Sequence, residues 1–208
     1  MIILNRIFIL FLIAVFAVIT NPVNVEANTS TQQNGDVYKI STAHLSVTPI
    51  DIDNFARVDD YFYRGSQPDN YDIKTLASLG IKTIVNLRKP TLLSRLDFIR
   101  QKYTARVFGV NYVNIPMAPR NPPTQQQIDY FLKIVNNPDN LPVYIHCAQG
   151  KDRTGIMTAL YRVNKYGWGF DRTYKEMKNK GYHSFIFPRQ KEFLSEYIQL
   201  LRKDISSN

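Results

Sequence analysis

A chain of 208 residues with 44% hydrophobic and 21% charged side chains is apolar enough to build a core and long enough for one domain, which excludes a disordered tail. Its one cysteine allows no internal disulfide. The net charge of +9 favours anionic partners, namely phosphorylated proteins, inositol phosphates or, in transient contact, an anionic membrane surface; no nucleic acid is expected, because no recognisable binding motif accompanies the charge.

In chain order, residues 1–27 read as a signal peptide. Arg6 supplies a positive start, the 13 residues from Ile7 to Ile19 are all apolar, and Val25-Glu26-Ala27 offers a cleavage site after Ala27. An uncleaved anchor is the alternative, but the run is shorter than the ~20 residues that span a bilayer. Cleavage removes one cation and one anion, so the exported chain, periplasmic or secreted, keeps its charge. Residues 28–47 are polar and read as a flexible lead-in, which leaves 48–208 as one domain.

Strands are expected at Tyr61–Arg64, Thr83–Leu87, Tyr112–Ile115 and Val143–His146, where β-branched and aromatic residues cluster. Helices are expected between them. Asp69 or Asn70 can cap a short helix ended by Gly80. Three apolar stripes at helical spacing are expected to be core: Leu92, Leu96, Ile99 and Tyr103; Ile128, Phe131, Leu132 and Val135; and Leu194, Tyr197, Ile198 and Leu201. A further helix is expected from Thr154 to Val163. This alternation predicts an α/β fold, a central mostly parallel sheet of four to five strands with helices on both faces, and a site at the strands' C-terminal edge.

The segment His146-Cys147-Ala148-Gln149-Gly150-Lys151-Asp152-Arg153-Thr154-Gly155 joins the last of those strands to a helix. A loop so placed turns its backbone N–H groups, and those of the helix's first turn, toward one point where an anion can sit. Arg153 adds a planar fork of donors for two phosphate oxygens. The same field acts on Cys147. A free thiol is only about 3% ionised at pH 7, and lowering its pKa by about three units makes it almost wholly thiolate. Gly150 suits a tight loop that a Cβ would obstruct. An isolated cysteine is more often a small buried hydrophobe, but that leaves the glycines and Arg153 unexplained.

His146, Cys147, Arg153, Thr154 and Gly155 match H-C-x5-R-[ST]-G, and the chain resembles the cysteine-dependent protein tyrosine and dual-specificity phosphatases. Tyr63-Arg-Gly-Ser-Gln-Pro68 and Leu79-Gly-Ile-Lys-Thr-Ile-Val-Asn-Leu-Arg88 extend the resemblance to the atypical dual-specificity group, over most of residues 57–202. Low-molecular-weight phosphatases and arsenate reductases carry their cysteine near the N-terminus, which Cys147 does not match. The resemblance implies the same architecture, Cys147 as nucleophile, Arg153 as phosphate clamp, Thr154 as the hydroxyl that receives the departing thiolate, and substrate contacts from Ala148, Gln149, Gly150 and Lys151. It implies no metal and no cofactor. His146 is expected to orient the loop.

The family usually supplies an aspartate from a loop about 30 residues before the cysteine. Here that loop, Ile115 to Thr124, has no carboxylate, and in the register of the phosphoinositide phosphatases Pro119 takes the place. Asp152 is the first substitute, against the alternative that it caps its helix or pairs with a cation; Asp129 is the second. Gln190 matches a glutamine that positions water in the lipid-phosphatase branch, against the alternative of a solvated residue opening the last helix. Lys151 and Arg120 would favour multiply phosphorylated rings, whereas Ala148 stands where that branch often has lysine. The expected function is phosphate monoester hydrolysis through a phosphocysteine, on tyrosine-phosphorylated protein or, alternatively, on inositol phosphate or phosphoinositide. A phosphate-binding module without turnover is the remaining alternative.

Overall fold

The computed structural model describes residues 50–206. The expected signal peptide and polar lead-in lie outside the described residues. The elements below all belong to one unit, Ser46–Asn208.

Five strands form one sheet: β1 (Ala56–Arg57), β2 (Phe62–Gly65), β3 (Thr83–Arg88), β4 (Asn111–Met117) and β5 (Val143–His146). Their spatial order is β1-β2-β5-β3-β4, antiparallel only between β1 and β2. The expected α/β fold with a mostly parallel sheet is present. β5 lies at the centre with all four side chains buried, as a strand covered on both faces must be. β1 was not expected, because two residues carry no periodicity; its register with Tyr63 and Arg64 is what defines it.

Six helices, among the described residues, cover the sheet: α1 (Asn70–Ser78), α2 (Arg95–Val107), α3 (Gln125–Val135), α4 (Asp152–Tyr166), α5 (Phe170–Asn179) and α6 (Pro188–Ser206). Asp69 and Asp72 form a reciprocal capping box at α1, and Thr124 and Gln127 form one at α3. Strand alternation sorts the core into two faces. Ile84, Tyr112 and Tyr144 pack with Ile73 and Leu76 of α1 and Ala105 of α2. Phe62, Val85 and Ile145 pack with Phe131 of α3, Leu160 of α4 and Leu194 of α6. The stripes of α3 and α6 therefore lie in or against the core as expected.

The stripe of Leu92, Leu96, Ile99 and Tyr103 does not. All four are exposed. α2 turns Phe98, Gln101 and Ala105 inward instead, and Gln101 is drawn in by polar contacts: its amide donates to the Pro68 carbonyl at 2.8 Å and it accepts from the Tyr112 hydroxyl at 2.8 Å. A buried glutamine on the inner face is hidden from any hydrophobic count, so the apolar pattern pointed to the wrong side.

Candidate active site

β5 ends at His146, the turn runs from Cys147 to Lys151, and α4 begins at Asp152. The turn is held mainly by its neighbour β2 and the residues after it. Arg64, buried, donates from Nη2 to the Gly150 carbonyl at 2.5 Å, and the Gln67 N–H donates to the Ala148 carbonyl at 3.2 Å. Asn54 donates from its amide to the Gln149 carbonyl at 2.9 Å. With these carbonyls engaged outward, the turn's N–H groups are left for the cradle.

Gly150 is required twice over. Its φ is +69°, and a Cβ there would lie 2.5 Å from the Gly65 carbonyl carbon and 2.7 Å from the Ser66 nitrogen. The backbones of β2 and the turn touch at this point.

Cys147 is 3% exposed and unpaired with any other cysteine. Burial pushes its thiol up, but the Thr154 hydroxyl and N–H, the Arg153 guanidinium and the Gln149 N–H together hold it below the usual thiol value. The buried Thr154 hydroxyl has no oxygen or nitrogen partner, which leaves the sulfur as the group it faces. Arg153 is braced by two carbonyls at the strands' C-terminal ends, with Nη1 3.4 Å from Leu87 O and 3.5 Å from Met117 O. The expected nucleophile, clamp and hydroxyl are thus brought together.

His146 is fully buried, its Nδ1 lies 3.2 Å from the Cys147 carbonyl, and burial lowers its pKa to about 3. Burial thus keeps the ring neutral at ordinary pH, with Nδ1 against the Cys147 carbonyl. Asp152 stands at the start of α4 and accepts from the His183 N–H at 2.9 Å, with both carboxylate oxygens 3.2 Å from His183 Nδ1. Lys151 lays its stem over Gly181, so turn and α5–α6 loop are joined at two points. Gln190 is fully buried and neither amide atom has a partner among the described residues. The solvated alternative for Gln190 is thereby corrected: packing at the start of α6 encloses it. Asp129 is exposed on α3, bonded to Gln125, and Arg120 is exposed with no ion pair among the described residues.

Sequence reasoning gave no role to Arg64, Gln67, Arg88 or His183. Arg64, Gln67 and Arg88 sit inside segments that carry the resemblance, and a charged residue in an otherwise buried strand was the available signal for Arg64. His183 is separated from Asp152 by 31 positions, and no local pattern announces it.

A family described as DSP-PTPase phosphatase fused to NAD+ kinase matches residues 42–192. The chain belongs to this family. It is 26% identical to the probable tyrosine-protein phosphatase DG1060 of Dictyostelium discoideum, over 73% of this chain and 87% of that protein. It is 32% identical to the inositol diphosphatase DSP1 of Oryza sativa subsp. japonica, over 57% of this chain and 51% of that protein. Of two plant chloroplastic NAD kinases it spans only 12% and 10%. Among solved structures, that of P. aeruginosa TpbA superposes with a TM-score of 0.58 at 20% identity, covering 76% of this chain and 98% of that one. The chain is a cysteine-based phosphatase of the protein tyrosine and dual-specificity type.

Proposed function

We propose that this phosphatase acts on tyrosine-phosphorylated protein through a phosphocysteine intermediate. The observation that carries the reading is the Cys147 sulfur, its pKa held below the usual thiol value where the Thr154 hydroxyl and N–H, the Arg153 guanidinium and the Gln149 N–H converge. The thiolate attacks phosphorus while Arg153 holds two phosphate oxygens, and the bond from phosphorus to the leaving oxygen breaks. Loop 116–124 contains no carboxylate, so the leaving oxygen takes its proton from the Asp152–His183 pair. Water then attacks phosphorus and returns a proton to the Asp152–His183 pair, the S–P bond breaks, inorganic phosphate leaves, and the Thr154 hydroxyl receives the returning thiolate. The unpartnered amide of Gln190 is the group assigned to that water. The reading includes export through residues 1–27, supported by their charge and apolar run.

A second reading, inositol phosphate as substrate, is favoured by cations at or just after the C-terminal ends of β3 and β4. Arg88 is half-buried at the end of β3, Lys89 and Arg120 are exposed, and none has an ion-pair partner among the described residues. The similarity to an inositol diphosphatase supports it as well.

Phosphate release by the parent and by Cys147→Ser, across phosphotyrosine peptides, phosphoserine peptides, inositol polyphosphates and phosphoinositides, separates the readings. Cysteine-dependent turnover concentrated on phosphotyrosine peptides is the expected result. Turnover concentrated on inositol phosphates would transfer the assignment to the second reading, and phosphate binding without any release would leave a module that reads phosphate without cleaving it.

A further inference from the structure

Helix α2 is apolar on two opposite sides. Phe98, Gln101 and Ala105 face the sheet, while Leu96, Ile99, Tyr103 and Val107, spaced three or four apart, are 66%, 55%, 69% and 59% exposed. In the turn ahead, Leu92 and Leu93 are 87% and 93% exposed. Single exposed apolar residues are ordinary, but four along one helix face, with two more in the turn before it, are a surface for something else.

Charge decides what that partner is. From Arg88 to Val110 the chain carries the cations Arg88, Lys89, Arg95, Arg100, Lys102 and Arg106, against the one carboxylate Asp97. On the helix, Arg95, Lys102 and Arg106 border one side of the stripe and Arg100 the other. A second copy of the chain would bring two such borders together and meet like charge with like. A bilayer bearing anionic headgroups satisfies both parts: the stripe enters the boundary between headgroups and acyl chains, and the long cationic side chains reach the phosphates from its borders. We propose that the outer face of α2 docks on an anionic lipid surface.

The test is vesicle flotation of the unit Ser46–Asn208, which lacks the apolar run near the N-terminus; turnover of nitrophenyl phosphate serves as proof that the unit is folded. The vesicles are phosphatidylglycerol mixed with phosphatidylcholine, or phosphatidylcholine alone. Binding to the anionic vesicles is expected, weakened by about tenfold or more in Leu96→Ser/Ile99→Ser/Tyr103→Ser, and by a similar factor in Arg95→Gln/Arg100→Gln/Arg106→Gln, with turnover unchanged. If the serine variant does not fold, the arginine variant still decides. No flotation of the parent, or flotation that neither variant weakens, overturns the proposal. A concentration-dependent dimer that the serine variant abolishes, without vesicle binding, would also overturn it and give the face to a second copy.

Discussion

Strands β2 and β5 run side by side and parallel, with Gly65 level with His146, and they contribute to the cradle in opposite ways. β5 leads into the groups proposed to react: the turn after it begins at Cys147, and the first turn of α4 carries Arg153 and Thr154. β2 contributes no reacting group. It contributes shape, through Arg64 on the Gly150 carbonyl, Gln67 on the Ala148 carbonyl and a backbone so close to Gly150 that only hydrogen fits between them. A phosphate cradle is therefore the property of two segments about 80 residues apart, and only one of them looks like a phosphate cradle.

The strongest way to test this division is to insert one methyl group between the two. Gly150→Ala places a Cβ at a positive φ against the Gly65 backbone, and a stability loss of about 2–4 kcal/mol is expected, with turnover falling about 100-fold or more. Thermal unfolding and nitrophenyl phosphate kinetics measure the two effects; a variant with parental stability would show that the strands are not locked together at this point.

Arg64→Met separates shape from stability. The guanidinium is buried with Nε and Nη1 unpartnered, so replacing it with an apolar side chain of similar length should leave the melting temperature unchanged or raise it. Turnover should nevertheless fall by about tenfold, because the Gly150 carbonyl loses the donor that holds it away from the cradle. Equal activity in this variant would assign the shape of the turn to β5 alone.

The proton donor is tested by Asp152→Asn and His183→Gln, each assayed on a phosphotyrosine peptide and on nitrophenyl phosphate. A loss of about 100-fold on the peptide with little loss on the better leaving group is expected. Equal losses on both substrates would reduce the pair to a clasp between α4 and the α5–α6 loop.

A further test concerns His146 on β5. Burial holds its pKa near 3 in the folded chain, against about 6.5 when unfolded. Between these values the unfolded chain binds a proton that the folded chain refuses, so stability falls as pH is lowered from about 6.5, by up to about 1.4 kcal/mol per pH unit. Denaturant titrations at pH 7 and pH 5 should show this loss, and His146→Asn should reduce it; an unchanged slope would mean that His146 is not buried neutral.

The sequence by itself determined the alternation of strands and helices, the direction of the sheet, and that the candidates Cys147, Arg153 and Thr154 lie where one strand turns into one helix. These follow from local rules: hydrophobic periodicity, capping side chains, and a turn whose functional atoms come from neighbouring residues. Tertiary structure decided whatever depends on atoms distant in sequence. Arg64 and Gln67 reach the turn because β2 pairs with β5; His183 meets Asp152 because α5 brings its loop back to the start of α4; Gln190 is buried by packing that no local pattern encodes. Helix α2 shows the same limit from the other side. Its periodicity was legible, but two apolar faces competed for the sheet, and the polar contacts of Gln101 with Pro68 and Tyr112 selected the inner one. Hydrophobic spacing fixes that a helix has a face to bury, while the partner across the interface fixes which face it is.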